Sequence, residues 1–300
     1  MRIGIDLGGS KIEIAILERD GQISLRRRVL APTGDYHTTL AAIAQLVRAA
    51  EVERGARGRV GIGIPGAISP TTGLVKNANS GWLIGKPFDR DLAALLERPV
   101  RVANDANCFA LSEAMDGAGK DRRVVFGVIV GTGVGGGIVV EGHALVGHQA
   151  IGGEWGHNPL PRPYDDERPG PPCYCGKFGC VETFLGGPGL TRDHQMSSGE
   201  LREPADIAER ARCGDPAAGA TMERYFDRFA RALATVIDIL DPDVVVLGGG
   251  LSHIDALYSE LPRRLPTHVF SDSCTTPILK NVHGDSGGVR GAAWLWPEEE

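Results

Sequence analysis

No apolar run in this 300-residue chain approaches the roughly 20 residues that span a bilayer. The amino terminus lacks a secretory core as well, because Asp6 interrupts the apolar start almost at once. Positive charge is not in excess. Lys and Arg number 32 against 38 Asp and Glu, a net charge of −6, which gives no footing for a nucleic-acid backbone or an anionic membrane. Cysteine is scarce, at six residues, and without a secretory signal such residues point to metal or buried thiols before disulfides. The expected location is cytoplasmic. Two phosphate-binding patterns are missing too. There is no G-x-x-x-x-G-K-[ST]. Residues 131–136 do spell G-x-G-x-x-G, but a strand pattern follows where a dinucleotide fingerprint needs a helix.

What the chain does have is an ordinary apolar content of 42% and 42 glycines gathered in short clusters beside apolar runs. Such clusters argue for tight backbone approaches to a ligand. The chain opens as a strand over 2–5, turns at Gly8-Gly9, and continues as a strand with Ile12, Ile14 and Ile16 in period two. The pattern predicts an amphipathic helix over about 37–54, with Leu40, Ile43, Val47 and Ala50 on one face. Strands follow at 60–64 and 100–103, the second ending at Asn104-Asp105 before a helix. The opening pattern recurs at 124–140, where glycines 131–137 separate two apolar runs, so two domains of related design are expected. Asp215-Pro216 is an N-cap and N1 pair that opens a long helix bearing Met222, Phe226, Phe229, Leu233, Val236 and Leu240. Another buried strand, 244–247, runs into Gly248-Gly249-Gly250. Residues 158–172 read as a surface loop, and the last helix covers about 288–296.

Glycines at strand ends let backbone N–H groups reach an anion. Taken singly, each cluster also fits a plain hairpin turn. Asp6, beside Gly8-Gly9, is a candidate to hold Mg²⁺ through water, and Ser10 and Lys11 can reach phosphate oxygens. His157, Cys173, Cys175 and Cys180 offer three thiolates and an imidazole, the donor set of a closed tetrahedral zinc site, with inert buried thiols as the alternative. Glu154 and Glu182 flank that cluster. Carboxylates accept hydrogen bonds from sugar hydroxyls, and His157 has a second ring nitrogen to offer. Asp105 ends a strand, where it can act as a base or merely cap the helix that follows.

Four motifs occur in an order and spacing that resemble the ROK family (repressor, open reading frame, kinase). They are Asp6-Leu7-Gly8-Gly9-Ser10-Lys11, Asn104-Asp105, Glu154-Trp155-Gly156-His157 and the run from Cys173 through Cys180 to Glu182. The resemblance covers essentially the whole chain. Segments 75–80, 154–161 and 283–296 are most similar to the bacterial fructokinases that also accept mannose. Two departures stand out: Ser10 replaces the usual Thr, and the run 147–152 is bulkier than usual.

The resemblance implies an α/β, two-domain actin/hexokinase-like (ribonuclease H-like) fold with an interdomain cleft and a structural zinc loop. The expected domains are 1–115 plus 286–300, and 116–285. It implies ATP- and Mg²⁺-dependent phosphorylation of a free hexose, D-fructose and also mannose, to the 6-phosphate. A glucokinase or N-acetylhexosamine kinase is the alternative. A DNA-binding regulator is disfavoured, because Asp6 follows Met1 too closely for a helix-turn-helix. The partners expected are ATP and a hexose, without nucleic acid or membrane, in a homodimer. Asp105 becomes the catalytic base, and Asn79, Asn104, Asp105, Glu154, His157 and Glu182 the sugar contacts. ATP is expected on Gly4, Asp6, Gly8, Gly9, Ser10, Lys11, Thr132, Gly133, Val134, Gly135, Gly136, Gly248, Gly249 and Gly250, and zinc on His157, Cys173, Cys175 and Cys180.

Overall fold

The computed structural model describes residues 1–78 and 80–297. They divide into two compact units. The first holds 1–121, 137–153 and 283–297, and the second holds 122–136 and 154–282. No helix among the described residues is long and apolar enough to cross a membrane.

The first unit begins with β1 (Arg2–Leu7) and β2 (Lys11–Leu17), paired antiparallel from Arg2↔Leu17 to Leu7↔Ile12. β2 is buried on both faces, not on one as the period-two isoleucines suggest. Its inward Glu13, 3% exposed, is neutralised across the ladder by Arg26, 2.6 Å away, and by Arg28, both on β3 (Ile23–Leu30). Helix α1 (Tyr36–Arg54) starts where the Asp35 carboxylate accepts from Thr38 N at 2.8 Å, and buries the expected Leu40, Ile43, Val47 and Ala50. There follow β4 (Arg59–Ile64), the short hairpin β5 (Ala67–Ile68) and β6 (Val75–Lys76), α2 (Phe88–Leu96), β7 (Val100–Asn104) and α3 (Asp105–Asp116). The sheet order is β3-β2-β1-β4-β7, antiparallel at β1–β2 and parallel at β1–β4 and β4–β7.

Strand β8 (Val124–Val130) opens the second unit, and β9 (Val134–Val140) leads the chain back into the first, where β10 (His143–Ala144) pairs with it. Residues 137–153 were expected with the second domain. They pack in the first unit because α3 runs so close to Gly137 that a Cβ there would overlap the Ala106 carbonyl. The second unit continues with α4 (Val181–Leu185), α5 (Gly187–Ser198), α6 (Pro204–Arg212), α7 (Pro216–Leu240), β11 (Val244–Gly248), α8 (Leu257–Arg264) and β12 (Ile278–Lys280). β11 is parallel to both β8 and β12. Asp215 caps α7 by accepting from Ala217 N at 2.9 Å and Ala218 N at 3.1 Å. The helix buries Met222, Phe226, Phe229 and Leu233. Ile237 completes that face, while Val236 and Leu240 are only half-buried.

The loop over 158–172 is not a free surface segment. Glu167, 6% exposed, pairs with Arg228 at 2.8 Å and with Arg231 at 2.8 Å on α7. Arg231 also donates to the carbonyls of Pro161 and Arg162, at 3.0 and 2.9 Å. A buried pair with its lone pairs satisfied serves to fix geometry more than to add stability. Here it fastens the segment that joins His157 to Cys173.

The chain returns to the first unit in α9 (Gly287–Trp294). Its approach to the sheet explains three glycines at once. A Cβ on Gly4 would overlap the Val289 carbonyl, one on Gly61 the Ala292 carbonyl, and one on Gly291 the Cys108 carbonyl of α3.

Candidate active site

In the first unit, the turn after β1 is closed by Gly8 N donating to Lys11 O at 2.9 Å. Gly9 and Ser10 are exposed, and a Cβ built on Gly9 would meet nothing within 4 Å. Asp6 lies just inside the turn. Burial pushes its carboxyl up to about 6, reinforced by Glu13 and opposed by Lys11 and Arg28. A carboxylate so placed gains by meeting a cation. Gly4 does not join this group. It faces α9 in the core, and its glycine is required there by packing and not by a phosphate.

At the end of β7, Asn104 and Asp105 take different tasks. Asn104 is the N-cap of α3: its Oδ1 accepts from Ala106 N at 2.9 Å and its Nδ2 donates to Gly66 O at 3.3 Å. Asp105 stands one residue inside the helix, with Oδ1 2.8 Å from Ala106 N. The cap is therefore supplied by Asn104, which leaves Asp105 without need of that role. Asn79 lies outside the described residues. The bulky run 147–152 is held by Lys76, whose ammonium donates to the Gln149 carbonyl, and by Gly152 N donating to Val146 O at 3.0 Å.

In the second unit, His157, Cys173, Cys175 and Cys180 place their donor atoms within 4.8 Å of one another. Cys173 Sγ lies 3.5 Å from His157 Nδ1, and Cys175 Sγ 3.6 Å from Cys180 Sγ. A tetrahedral zinc with the usual Zn–S and Zn–N bonds has ligand–ligand edges of roughly 3.5–3.8 Å, so the spacing fits. Burial pushes the Cys180 thiol up to about 12 and raises Cys173 as well, while the Lys177 amide lowers exposed Cys175. Thiols crowded and buried in this way favour a cation that can take them as thiolates.

The flanking carboxylates are tied to the same frame. Trp155, 4% exposed, anchors the Glu154–His157 turn by donating Nε1 to Gly135 O at 3.0 Å and stacking edge-on against Phe126. Glu182 begins α4, two residues after Cys180. Its Oε2 accepts from Val134 N at 2.9 Å, and a Cβ on Gly133 would fall 2.6 Å from that same oxygen. The sequence offered no sign of this link. His157 Nε2 was expected to face a sugar. In the structure it lies 2.9 Å from the hydroxyl of Tyr174, a residue the motif reading passed over because it sits between two cysteines. Burial of that hydroxyl, then the charges of Glu182 and Glu154, push Tyr174 up to about 12.

The glycine loop itself is shorter than the sequence suggested. Gly131, Thr132 and Gly133 form the turn, while Val134, Gly135 and Gly136 already belong to β9. Gly131 accepts from Gly187 N at 2.7 Å, at the start of α5, and a Cβ on Gly131 would lie 3.7 Å from Gly250 N. Gly248 ends β11, and Gly249 needs its left-handed φ of 83°. Gly131, Thr132 and Gly250 line a pocket of about 500 Å³ with Gly187, Pro188, Thr191, Glu203, Pro204 and Leu251. The N-terminus of α5 favours an anion in it. Of these extra lining residues only Gly187-Pro188 carried a legible signal, that of a helix start.

A model of the ROK family matches residues 2–299. N-acetyl-D-glucosamine kinase of Yersinia pseudotuberculosis is 41% identical over 299 residues, 98% of either chain. The enzyme of the same description from Vibrio cholerae is also 41% identical over 299 residues, 98% of this chain and 99% of that one. Among solved structures, the ROK hexokinase of Thermus thermophilus has a TM-score of 0.85 at 30% identity, covering 98% of this chain and 96% of its own. A ROK family glucokinase from Streptomyces griseus, in complex with glucose and AMPPNP, has a TM-score of 0.78 at 26% identity over 98% of both.

Proposed function

The chain belongs to the ROK family, with its two-domain actin/hexokinase-like α/β fold, and on that premise we propose that it transfers the γ-phosphoryl group of ATP to the 6-hydroxyl of a free hexose. The observation that carries this reading is the bond from Val134 N to Glu182 Oε2 at 2.9 Å. It ties a sugar-type acceptor, two residues from a metal-type cysteine, to the backbone of a phosphate-type turn. Neither a hairpin turn nor an inert thiol cluster needs that coupling.

Phosphoryl transfer asks a protein for positioning, charge neutralisation and an acceptor for the hydroxyl proton. In the second unit, the pocket lined by Gly131, Thr132 and Gly250 takes the nucleotide, and Glu154 and Glu182 accept from sugar hydroxyls. In the first unit, Asn104 and Asn79 position the sugar, and Asp105 takes the 6-hydroxyl proton. Gly8 to Lys11 offer donors to phosphate. Mg²⁺ bound with ATP supplies the charge neutralisation, and Asp6 is the carboxylate suited to meet it through water. Zinc, held by His157, Cys173, Cys175 and Cys180, is structural, since four protein donors leave no open position.

D-Fructose is the proposed sugar, with mannose weaker. The support is the likeness of segments 75–80, 154–161 and 283–296 to fructokinases of this family. N-acetylglucosamine is the second reading, favoured by the relatives of 41% identity that carry that description. A coupled ADP-release assay over fructose, mannose, glucose and N-acetylglucosamine separates them. The highest kcat/KM is expected on fructose. N-acetylglucosamine as best substrate selects the second reading, and ATP turnover that ignores every sugar overturns the kinase reading itself.

A further inference from the structure

The pocket of about 500 Å³ in the second unit is chemically uneven, and its walls can be followed contact by contact. At one wall is Gly131, on which a Cβ would lie 3.7 Å from Gly250 N. Gly187 N donates to Gly131 O at 2.7 Å and so joins the start of α5 to that turn. A Cβ on Gly187 would lie 3.4 Å from both Gly131 O and Pro204 Cγ, so α6 begins directly beside α5. The residue before Pro204 is Glu203, which also lines the pocket. The cavity thus runs from the backbone of a phosphate-type turn to a proline ring and a carboxylate.

That carboxylate has no task within the protein. Glu203 stands at the N-cap of α6, but its side chain makes no cap bond. Its neighbour Arg202 turns instead to Glu200 at 2.9 Å and to Asp206 at 3.4 Å. Among the described residues, the Glu203 side chain has neither a hydrogen-bond nor an ion-pair partner. Its backbone is nevertheless fixed. The Glu203 carbonyl accepts from Ile207 N at 3.0 Å, and Ile207 is fully buried. A lone exposed glutamate is ordinary. One that shares a pocket with a phosphate-type turn is not neutral, because it repels the phosphates unless a ligand brings donors to it.

A nucleotide has the matching asymmetry. Its phosphates are anionic, while its nucleoside end is neutral and carries the vicinal hydroxyls of ribose. An ionised carboxylate only accepts, and its two oxygens can take both of those protons. Dinucleotide-binding folds use an acidic residue on ribose for the same reason. Pro188, Pro204 and Leu251 give the pocket apolar surface against which a base or sugar ring can pack. Thr191, one helical turn after Gly187 on α5, adds a hydroxyl to the same lining. We propose that Glu203 determines the choice of phosphoryl donor, its carboxylate accepting from the ribose hydroxyls of ATP. It binds and orients the nucleotide and moves no proton. This assignment rests on the ATP-dependent kinase reading above.

Glu203→Ala and Glu203→Gln test it, with ATP, 2′-deoxy-ATP and 3′-deoxy-ATP as donors to the hexose the wild type phosphorylates best. Binding of each nucleotide alone is measured by calorimetry, together with KM, kcat and melting temperature. The wild type should bind at least one deoxy analogue about 5- to 20-fold more weakly than ATP, the worth of a charge-assisted hydrogen bond at an exposed site. Glu203→Ala should weaken ATP by a similar factor and then bind ATP and that analogue equally within about twofold, since both changes delete the same bond. Glu203→Gln keeps an acceptor oxygen and should fall between the two. Sugar KM and melting temperature should stay at wild-type values, because no cap bond or ion pair is lost. Unchanged ATP binding in Glu203→Ala overturns the proposal. So does a loss that is equal for ATP and both deoxy analogues, which would make Glu203 a general part of the wall. A wild type that binds ATP with this ribose preference and phosphorylates no hexose supports Glu203 and overturns the hexose reading. A wild type that binds no ATP overturns both.

Discussion

The chain turns twice from strand to strand through glycine, at Gly8–Lys11 and at Gly131–Gly133, and the two turns need their glycines for different reasons. The first is exposed, and a Cβ on Gly9 would touch no protein atom within 4 Å. At Gly9 the protein itself leaves room for a side chain. The second is built into its surroundings. Gly131 accepts from the start of α5, and Gly133 leaves room for the Glu182 carboxylate, which in turn accepts from Val134 N. Similar sequence patterns thus form an exposed turn in one unit and a turn built into its surroundings in the other. The comparison teaches that a glycine cluster marks a close approach without saying what approaches. It also separates the two turns: changes at Gly8–Lys11 should strike the phosphates, and a change at Gly133 should strike Glu182 and with it sugar binding.

The largest effect is expected at Asp105. Asn104 already supplies the cap of α3, and Asn is as good as Asp in the first turn to within a few tenths of a kcal/mol. Asp105→Asn should therefore fold and bind both substrates. Without a carboxylate to take the proton it should lose kcat by at least about a hundredfold. Steady-state kinetics with a thermal melt check this, and a near-normal kcat removes Asp105 from the mechanism.

Next comes the metal frame. Cys175 is the exposed member of the cluster, so Cys175→Ser leaves no cavity behind. It should nevertheless lose zinc, because the tetrahedral set is broken. The loop from His157 to Glu182 then keeps the Glu167 pairs with Arg228 and Arg231 and its backbone bonds, such as Leu160 N to Gly179 O at 2.8 Å, but loses its metal tie. Sugar KM should rise about tenfold or more while KM for ATP moves less, with a lower melting temperature. Metal analysis finding no zinc in active wild-type protein would refute the assignment.

The two turns themselves give a finer test. Gly133→Ala places a Cβ 2.6 Å from Glu182 Oε2. The carboxylate must move, so sugar KM should rise several-fold, with a smaller change for ATP. Gly9→Ala meets no protein atom, so stability should hold, and any loss should appear in KM for ATP. A Gly133→Ala protein impaired only toward ATP would mean that phosphate, not Glu182, sets the need for that glycine.

Much of this was legible in the sequence, and the omissions have physical causes. The strand around Ile3 and Ile5, the α1 face of Leu40, Ile43 and Val47, and the Asp215-Pro216 start of α7 follow from local periodicity and capping, which a single segment carries. The His/Cys cluster was legible because four donors of two rare types, one His and three Cys, lie within 24 residues of the chain. Gly4 was misread as a phosphate residue, since its real neighbour, Val289, is almost the whole chain away. Gly135 and Gly136 were misread as loop because glycine weakens a strand signal without preventing the strand. The Glu182–Val134 bond, the Tyr174–His157 contact and the buried Glu167 are pairings set by tertiary packing, and nothing in their local sequence announces them.

The smallest effect expected is the pH response of Asp6, and it again separates the two units. Burial raises its pKa from 3.8 to about 6, with Glu13 adding to the rise and Lys11 and Arg28 opposing it. A raised acid holds its proton more tightly in the folded chain than in the unfolded one. Its contribution to stability is therefore most favourable below the unfolded value near 4. That contribution declines as pH rises through about 6 and is level above that. Asp6→Asn has no such proton to lose. The melting temperature of the variant should gain on the wild type by a few degrees between pH 4 and 7, with the change confined to that window. The same proton bears on the nucleotide. If Mg²⁺ with ATP meets the ionised carboxylate, binding below about pH 6 should release a proton from wild type and not from Asp6→Asn, which calorimetry in buffers of different ionisation heat can count. An identical proton count in the two proteins would take Asp6 away from the metal and leave it as a buried acid at the end of β1.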